Sequence, residues 1–296
     1  MSSPGQFGKR HTMQEFGSVC GATQEIRVNR LEERLQPAVP FPHRHDFYHL
    51  ILVTSGSGWH EIDFRRYRVH SGQVFFMKPA QVHSWHLGPK TSGIVIEFGS
   101  ELLFEFSRES TALSSISGLS DQFDLSKGQA VLKRSLFLIG EQMLEEYERQ
   151  MPDFETSLRH FLVPLLLGLA RIEIETNQGS ARSRTSDDPV LTRFLHLVEE
   201  HFCDEHRVSF YSNRMKITAK ALTMRVARAL GKSARSVIQG RCLLETKRLL
   251  AYSKLSVAEI GFEVGFDDPN YFSRFFRNST GSTPGEFRTR VRRVRD

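Results

Sequence analysis

Between Phe41 and Phe98 apolar and polar positions alternate in short runs, "FYHLILV", "GWHEIDF", "YRV", "QVFFM" and "GIVIEF", broken by "TSGSG", "HSGQ", "KPAQ" and "LGPKTSG". Runs of this length, closed by Gly/Pro turns at regular intervals, predict antiparallel strands in a sandwich or small barrel. Ser, Asp and Gly then dominate from Glu105 to Gly128, as in "SRESTALSSISGLSDQ", which predicts a loop or short irregular helices. Past this stretch the period lengthens. In "QAVLKRSLFLIGEQMLEEYERQM" the residues Val131, Leu132, Leu136, Ile139, Met143, Leu144 and Tyr147 recur at three-to-four spacing. "FETSLRHFLVPLLLGLARIEIE" repeats the pattern more densely, so two amphipathic helices are expected. Neither can bury its stripe alone. The stripes pack on each other and on the β-domain, on a second copy of the chain, or on both.

The following "TNQGSARSRTSDDP" is polar and without periodicity, the composition of a linker. Everything after it reads as short helices, opened by Asp188 as N-cap with Pro189 at the first helical position. The expected organisation is an α+β multidomain chain: a β-barrel domain over 1–125, a helical dimerisation segment over 126–177, a linker over 178–188 and an all-α domain over 189–296.

Charge sharpens this division. From Pro189 onward there are 20 Lys/Arg against 11 Asp/Glu, and before it 20 against 23. A basic domain on a mildly acidic chain points to a polyanion, with nucleic acid ahead of a membrane surface. Cys20, Cys203 and Cys242 are odd in number and carry no CxxC or zinc-finger spacing. They suit a reducing cytoplasm. No apolar leader opens the chain and no stretch is long and apolar enough to span a bilayer. A soluble, cytoplasmic protein is expected, without a membrane partner.

Laid on itself, the basic domain shows a quasi-repeat. Thr218 falls on Asp268, Leu222 on Phe272, Val226 on Phe276, Gly231 on Gly281, Ser233 on Thr283 and Val237 on Phe287. With one residue inserted, Tyr211 falls on Ile260, Met215 on Val264 and Ile217 on Phe266. Each copy reads as short helix, tight turn, longer helix, Gly stop, then a capped new helix, the layout of a helix-turn-helix occurring twice. In the second copy Phe272 and Phe276, four apart, face inward with Phe262 and Phe266. Asn270, Ser273 and Arg274 face outward, with Arg277 a turn further on. In the first copy Leu222, Val226 and Leu230 form the inward stripe; Lys220, Thr223 and Met224 face outward, and Arg225 and Arg228 lie on the flank. Outward polar residues near the start of the second helix are those a major groove would meet, and flanking arginines suit phosphates.

"LSVAEIGFEVGFDDPNYFSRFFRNSTGSTPGEFR" resembles the signature of the AraC/XylS family of transcription regulators, and the resemblance covers about 100 residues at the C-terminal end. It implies that a long helix, "SARSVIQGRCLLETKRLLAYS", joins two units entering successive major grooves. It also implies that Lys220, Thr223 and Met224 read bases in the first unit, and Asn270, Ser273 and Arg274 in the second. Gly261 and Ser212 stand where the family usually has Ala, a mild loss of helix propensity in the case of Gly261. Met224 replaces a commonly polar or basic reader, which favours apolar contact with a thymine methyl.

"FPHRHDFYHLILVTSGSG" and "SGQVFFMKPAQVHSW" resemble the sugar-binding cupin half of the same family, and cupins generally. That resemblance implies an effector pocket lined by His43, His45, Tyr48, His60, His83 and Trp85, although strand alternation turns half of such positions outward. A metal cupin carries His-x-His, a Glu shortly after, and a later His. Here His43, His45, His49 and His83 occupy those places, with His49 where the carboxylate is expected. The leading expectation is a non-enzymatic, cofactor-free regulator that binds promoter DNA and a small-molecule effector and forms a homodimer, with RNA polymerase as a further partner if it activates. The alternative is a metal-dependent cupin enzyme with a helical nucleic-acid-binding tail.

Overall fold

The structure is a computed structural model that describes residues 25–35, 42–109, 116–126, 130–176 and 188–293. The chain divides into two compact units, one within residues 10–186 and the other from residue 187 onward. Of the linker expected over 178–188, only Asp188 lies among the described residues.

The alternating runs of the first unit form β2 (His43–Arg44), β3 (Tyr48–Ser55), β4 (Gly58–Ile62), β5 (Arg65–Val69), β6 (Gln73–Met77), β7 (Val82–Leu87) and β8 (Ser92–Phe98). Two strands fall outside the stretch from Phe41 to Phe98 in which alternation predicted them. β1 (Ile26–Arg30) precedes it, and β9 (Gln122–Asp124) lies in the Ser-rich stretch read as a loop. That stretch also begins inside a helix, α1 (Ser100–Glu109), because Leu102, Leu103 and Phe106 bury one side of it. All pairings are antiparallel, in a five-stranded sheet ordered β1-β8-β3-β6-β9 and a four-stranded sheet ordered β2-β7-β4-β5.

The five-stranded sheet is buried on both faces. Leu50, Leu52, Val74, Phe76, Ile94 and Ile96 point one way, where α2 (Ala130–Arg149) and α3 (Phe154–Thr176) bring Leu136, Met143, Leu162 and Leu166. Ile51, Val53, Phe75, Met77 and Val95 point the other way and meet Ile62 and Val69 of the four-stranded sheet. A strand covered on both sides has no polar face to show, which is why "YHLILV" reads as a continuous apolar run. The helical stripes therefore bury on the sheet as well as on each other.

The second unit contains α4 (Pro189–His201), α5 (Val208–Arg214), α6 (Ala219–Leu230), α7 (Ala234–Tyr252), α8 (Val257–Glu263), α9 (Pro269–Thr280) and α10 (Pro284–Arg293). The repeat is visible bond by bond. Thr218 caps α6 by accepting from Ala221 N at 3.1 Å, and Asp268 caps α9 by accepting from Asn270 N at 2.8 Å. In the turns Ile217 N donates to Ser212 O at 3.0 Å, and Phe266 N donates to Gly261 O at 2.9 Å. Both turns pass through a left-handed residue, Lys216 (φ 55°) in the first and Gly265 (φ 85°) in the second. Lysine is tolerated at the first position, whereas a Cβ at Gly265 would stand 2.1 Å from the carbonyl oxygen of Cys203. α7 is the joining helix that the family resemblance implies, starting from the Ser233 cap.

Two readings of the second unit change. Phe262 is 57% exposed, so it takes no part in the core with Phe266, Phe272 and Phe276. A seven-residue helix has one narrow inward face, and in α8 Ile260 and Gly261 occupy it, followed by Val264. Gly261 is a packing choice more than a propensity loss. A Cβ there would meet Phe272 at 3.1–3.3 Å, whereas the first copy of the repeat has Ser212 and the smaller Leu222 at the equivalent positions.

The glycines after α8 and α9 make a test. Both Gly265 and Gly281 are left-handed, but nothing lies within 4 Å of a Cβ added at Gly281. Gly281→Ala should cost about 1 kcal/mol, and Gly265→Ala about 3 kcal/mol or more. Both tryptophans, Trp59 and Trp85, belong to the first unit. Calorimetry of the full chain therefore assigns the transition without a tryptophan signal to the second unit. Equal losses in the two variants would mean that backbone conformation alone sets the cost.

Candidate DNA-reading helices and effector site

α6 and α9 each bury one edge and present the other. Leu222 and Val226, and Phe272 and Phe276, are fully buried. Lys220, Met224, Arg225 and Arg228 are exposed on α6, with Thr223 half-buried; Asn270, Arg274 and Arg277 are exposed on α9, with Ser273 half-buried. Met224 is 63% exposed, a large apolar side chain held in water. Helical periodicity alone reached this arrangement because each stripe is amphipathic and short. The wheel left Tyr271 unassigned: its ring is 54% exposed beside Asn270 and rests on Phe266 with centroids 5.8 Å apart. Arg225 is not idle, since its Nη1 lies 3.4 Å from Asp188 Oδ1, the oxygen that also accepts from Val190 N. A phosphate would have to draw Arg225 from that carboxylate.

In the first unit five of the six expected pocket residues gather around His83. His43, on the strand paired with β7, faces His83 in register, with ring centroids 4.5 Å apart. His45 Nε2 lies 2.9 Å from His83 Nε2, and His60 Nε2 lies 3.2 Å from His83 Nδ1. Trp85 is 5.5 Å from His83 between centroids. Tyr48 departs from the group. Its ring stacks on Phe76 and Phe98 in the core beneath the helices, on the opposite face of the five-stranded sheet.

The inner position next to Tyr48 is His49, 5.5 Å from His83 and 5.9 Å from Trp85 between centroids. β3 is apolar from Leu50 to Val53, so alternation carried no phase to separate Tyr48 from His49. Three inner residues were missed altogether. Arg27, Arg34 and Glu97 form a charged group in which Arg34 donates to both Glu97 oxygens, at 2.6 and 3.3 Å, and Arg27 Nη1 lies 3.8 Å from Glu97 Oε2. Arg27 and Arg34 precede the stretch that read as strands, and Glu97 ends an otherwise apolar run.

Several buried polar atoms of this interior have no partner among the described residues. They are Nε and Nη2 of Arg27, both ring nitrogens of His49, one a donor and one an acceptor in the neutral ring, and Nε1 of Trp85. Buried polar atoms are ordinarily satisfied, so this set suits an oxygen-bearing guest. His43, His45 and His83 each bring one ring nitrogen within 4.8 Å of the others, a donor set that suits a transition metal; the ring nitrogens of His49 are not part of that group. Burial first, then neighbouring His43 and Arg34, holds His45 down to about 3. Burial, then His43, does the same for His60, also to about 3. Burial and the surrounding imidazoles hold His49 and His83 well below the ordinary histidine range.

A polar interior within one unit and a pair of helix-turn-helix heads on the other define an effector-responsive, DNA-binding transcription regulator. Residues 29–154 match the model of an AraC-like ligand binding domain, and residues 211–290 match that of a helix-turn-helix domain. Among relatives, the HTH-type transcriptional activator RhaS of Escherichia coli O81 (strain ED1a) is 26% identical over 267 residues, covering 87% of this chain and 91% of RhaS. The chain belongs to the AraC family of regulators. Solved structures with likeness include ToxT from Vibrio cholerae, at 12% identity and TM-score 0.43, covering 90% of this chain and 98% of ToxT. The C-terminal domain of the response regulator yesN from Fusobacterium nucleatum has 25% identity and TM-score 0.31, covering 32% of this chain and 93% of that domain.

The neutral interior makes the first unit acid-sensitive. Unfolded histidines take up protons near pH 6.5, whereas the folded interior refuses them until far lower pH. Stability is therefore full above pH 6.5 and falls as pH drops below it, by about 1.4 kcal/mol per pH unit for each histidine that stays neutral. Urea unfolding of chelator-treated protein, followed by tryptophan emission at pH 7.5, 6.5 and 5.5, checks this. A midpoint that stays level or rises on acidification would show that the interior accepts protons.

Proposed function

We propose that the chain is a cytoplasmic, homodimeric, non-enzymatic activator, associated with the nucleoid when bound. In this reading its first unit takes up a small hydroxylated metabolite such as a sugar, and its second unit reads promoter DNA and meets RNA polymerase. The matched exposed edges of α6 and α9 carry it, repeated with the same caps and turns in a domain with a surplus of positive charge. Lys220, Thr223 and Met224, and Asn270, Ser273 and Arg274, are assigned to base edges; Arg225, Arg228 and Arg277 are assigned to phosphates. The activator assignment follows the name of the RhaS relative. For the effector, the unpartnered donors of Arg27, His49 and Trp85 favour an oxygen-rich ligand among His43, His45, His60 and His83. Residues 1–125 would bind it, 126–177 would dimerise, 178–188 would link, and 189–296 would bind DNA. Effector binding would act by population shift, changing how the two DNA-binding domains of a dimer are spaced.

Dimerisation finds support on α2, where Val131 and Leu138, seven residues apart, are 82% and 50% exposed although α2 buries its other side. Val131→Asp with Leu138→Asp should convert the dimer to a monomer in sedimentation at micromolar concentration, with tryptophan-monitored stability within about 0.5 kcal/mol of wild type. A variant that still sediments as a dimer would place the interface elsewhere.

Selection from a random DNA pool by the full chain should return an asymmetric or directly repeated site. On it Asn270→Ala and Arg274→Ala should each cost about 1–3 kcal/mol and relax preference at one position, whereas Arg277→Ala should weaken all sequences alike and lower the salt slope by about one. No preference over bulk DNA at moderate salt would overturn the assignment.

A further inference from the structure

We propose that His43, His45 and His83 hold a divalent transition-metal ion through one ring nitrogen each, with His60 as the positioning residue behind His83. This goes beyond the effector-binding reading and does not depend on which effector is bound.

The three nitrogens lie within 4.8 Å of one another, and His45 Nε2 and His83 Nε2 are 2.9 Å apart. A zinc ion bonds imidazole nitrogen at about 2.0–2.1 Å, which puts neighbouring ligand nitrogens of a tetrahedron roughly 3.4 Å apart. The His45–His83 pair has to open by about half an ångström, and a pair at the 4.8 Å limit would close by about 1.4 Å, movements within reach of side-chain rotation. The frame is rigid where it matters. His43 and His83 are cross-strand partners of β2 and β7, and His45 follows β2 directly.

The second observation is the contact behind the ligand. His83 turns Nε2 toward His45 and Nδ1 toward His60 Nε2, at 3.2 Å. A metal-bound imidazole ordinarily donates its other N–H to a fixed acceptor, which sets both tautomer and ring orientation. With an ion bound, His83 Nδ1–H donates to His60 Nε2 and Nε2 keeps its lone pair for the metal. Without one, the same chain is satisfied by protons, His60 Nε2–H donating to His83 Nδ1 and His83 Nε2–H to His45 Nε2. The site therefore has two self-consistent states that differ in the tautomers of His60 and His83.

The donor set also limits the ion. Three imidazoles with no carboxylate or thiolate select Zn²⁺, Co²⁺, Ni²⁺, Cu²⁺ or Fe²⁺ over Mg²⁺, Ca²⁺ or Mn²⁺. His43 is only half-buried, so the triad has an approach from its side. Three protein ligands leave a coordination position for water or an oxygen of a guest molecule.

Full-length protein without a histidine tag, stripped by chelator, is titrated with Co²⁺ and followed by visible absorption. One equivalent should produce a d–d band that Zn²⁺ abolishes by displacement, while Mg²⁺ leaves it unchanged. His43→Gln and His83→Gln should each lose the band, and His60→Ala should weaken Co²⁺ binding by 10- to 100-fold with the band retained. His49→Ala should bind as wild type. If the ligand variants fail to fold, as judged by tryptophan emission, X-ray absorption on Zn²⁺-loaded wild type decides: three imidazoles in the first coordination sphere support the site, and a sulfur ligand or fewer than two imidazoles overturns it. No Co²⁺ uptake by wild type, or uptake unaltered in His43→Gln and His83→Gln, also overturns it.

Discussion

The first unit depends on keeping its imidazoles uncharged. His45, His49, His60 and His83 lie between two sheets whose apolar inner positions include Ile51, Val53, Ile62, Val69, Phe75, Met77 and Val95. A protonated ring there would be a charge in an apolar layer, so the fold holds these rings neutral and able to share protons or lone pairs. Among the described residues, the buried carboxylate of this interior is Glu97, matched by Arg34 and approached by Arg27.

The second unit solves a different problem with less material. Its helices are short and its core is a thin layer of Leu222, Val226, Phe272 and Phe276 with their neighbours, so each reading helix must be held by its ends as well as its side. Thr218 and Asp268 fix the starts, left-handed glycines fix the stops, and the new helices begin on Ser233 and Thr283. Asp188 adds a restraint of its own, because the oxygen that starts α4 also touches Arg225 on the first reading helix. The two heads are thus alike in backbone and differ in size at matching positions, Ser212 and Leu222 in one and Gly261 against Phe272 in the other.

The family assignment and the interior chemistry meet in one question, how a small guest is sensed. Unsatisfied donors inside a protein stabilise whatever satisfies them, and here they belong to Arg27, His49 and Trp85, on β1, β3 and β7. β1 and β3 both pair with β8, and the helices α2 and α3 pack against the reverse face of that sheet.

Where helix faces rode on local periodicity and end chemistry, the sequence was enough to place them. The two reading heads, their caps and their outward residues from Lys220 to Arg228 and Asn270 to Arg277 follow from amphipathic helices that need no distant partner to define their faces. It could not place Phe262, because one turn of α8 offers too few positions for a face to be read. In the first unit the histidine spacing pointed to the right strands, yet the continuous apolar run of β3 hid which of Tyr48 and His49 faces inward. Arg27, Arg34 and Glu97 were invisible for the same reason, since a charge is recognised as internal only when strands distant in the chain enclose it. Tertiary structure alone decided those positions, because sheet faces are defined by what packs on them, and that is set by residues far away along the chain.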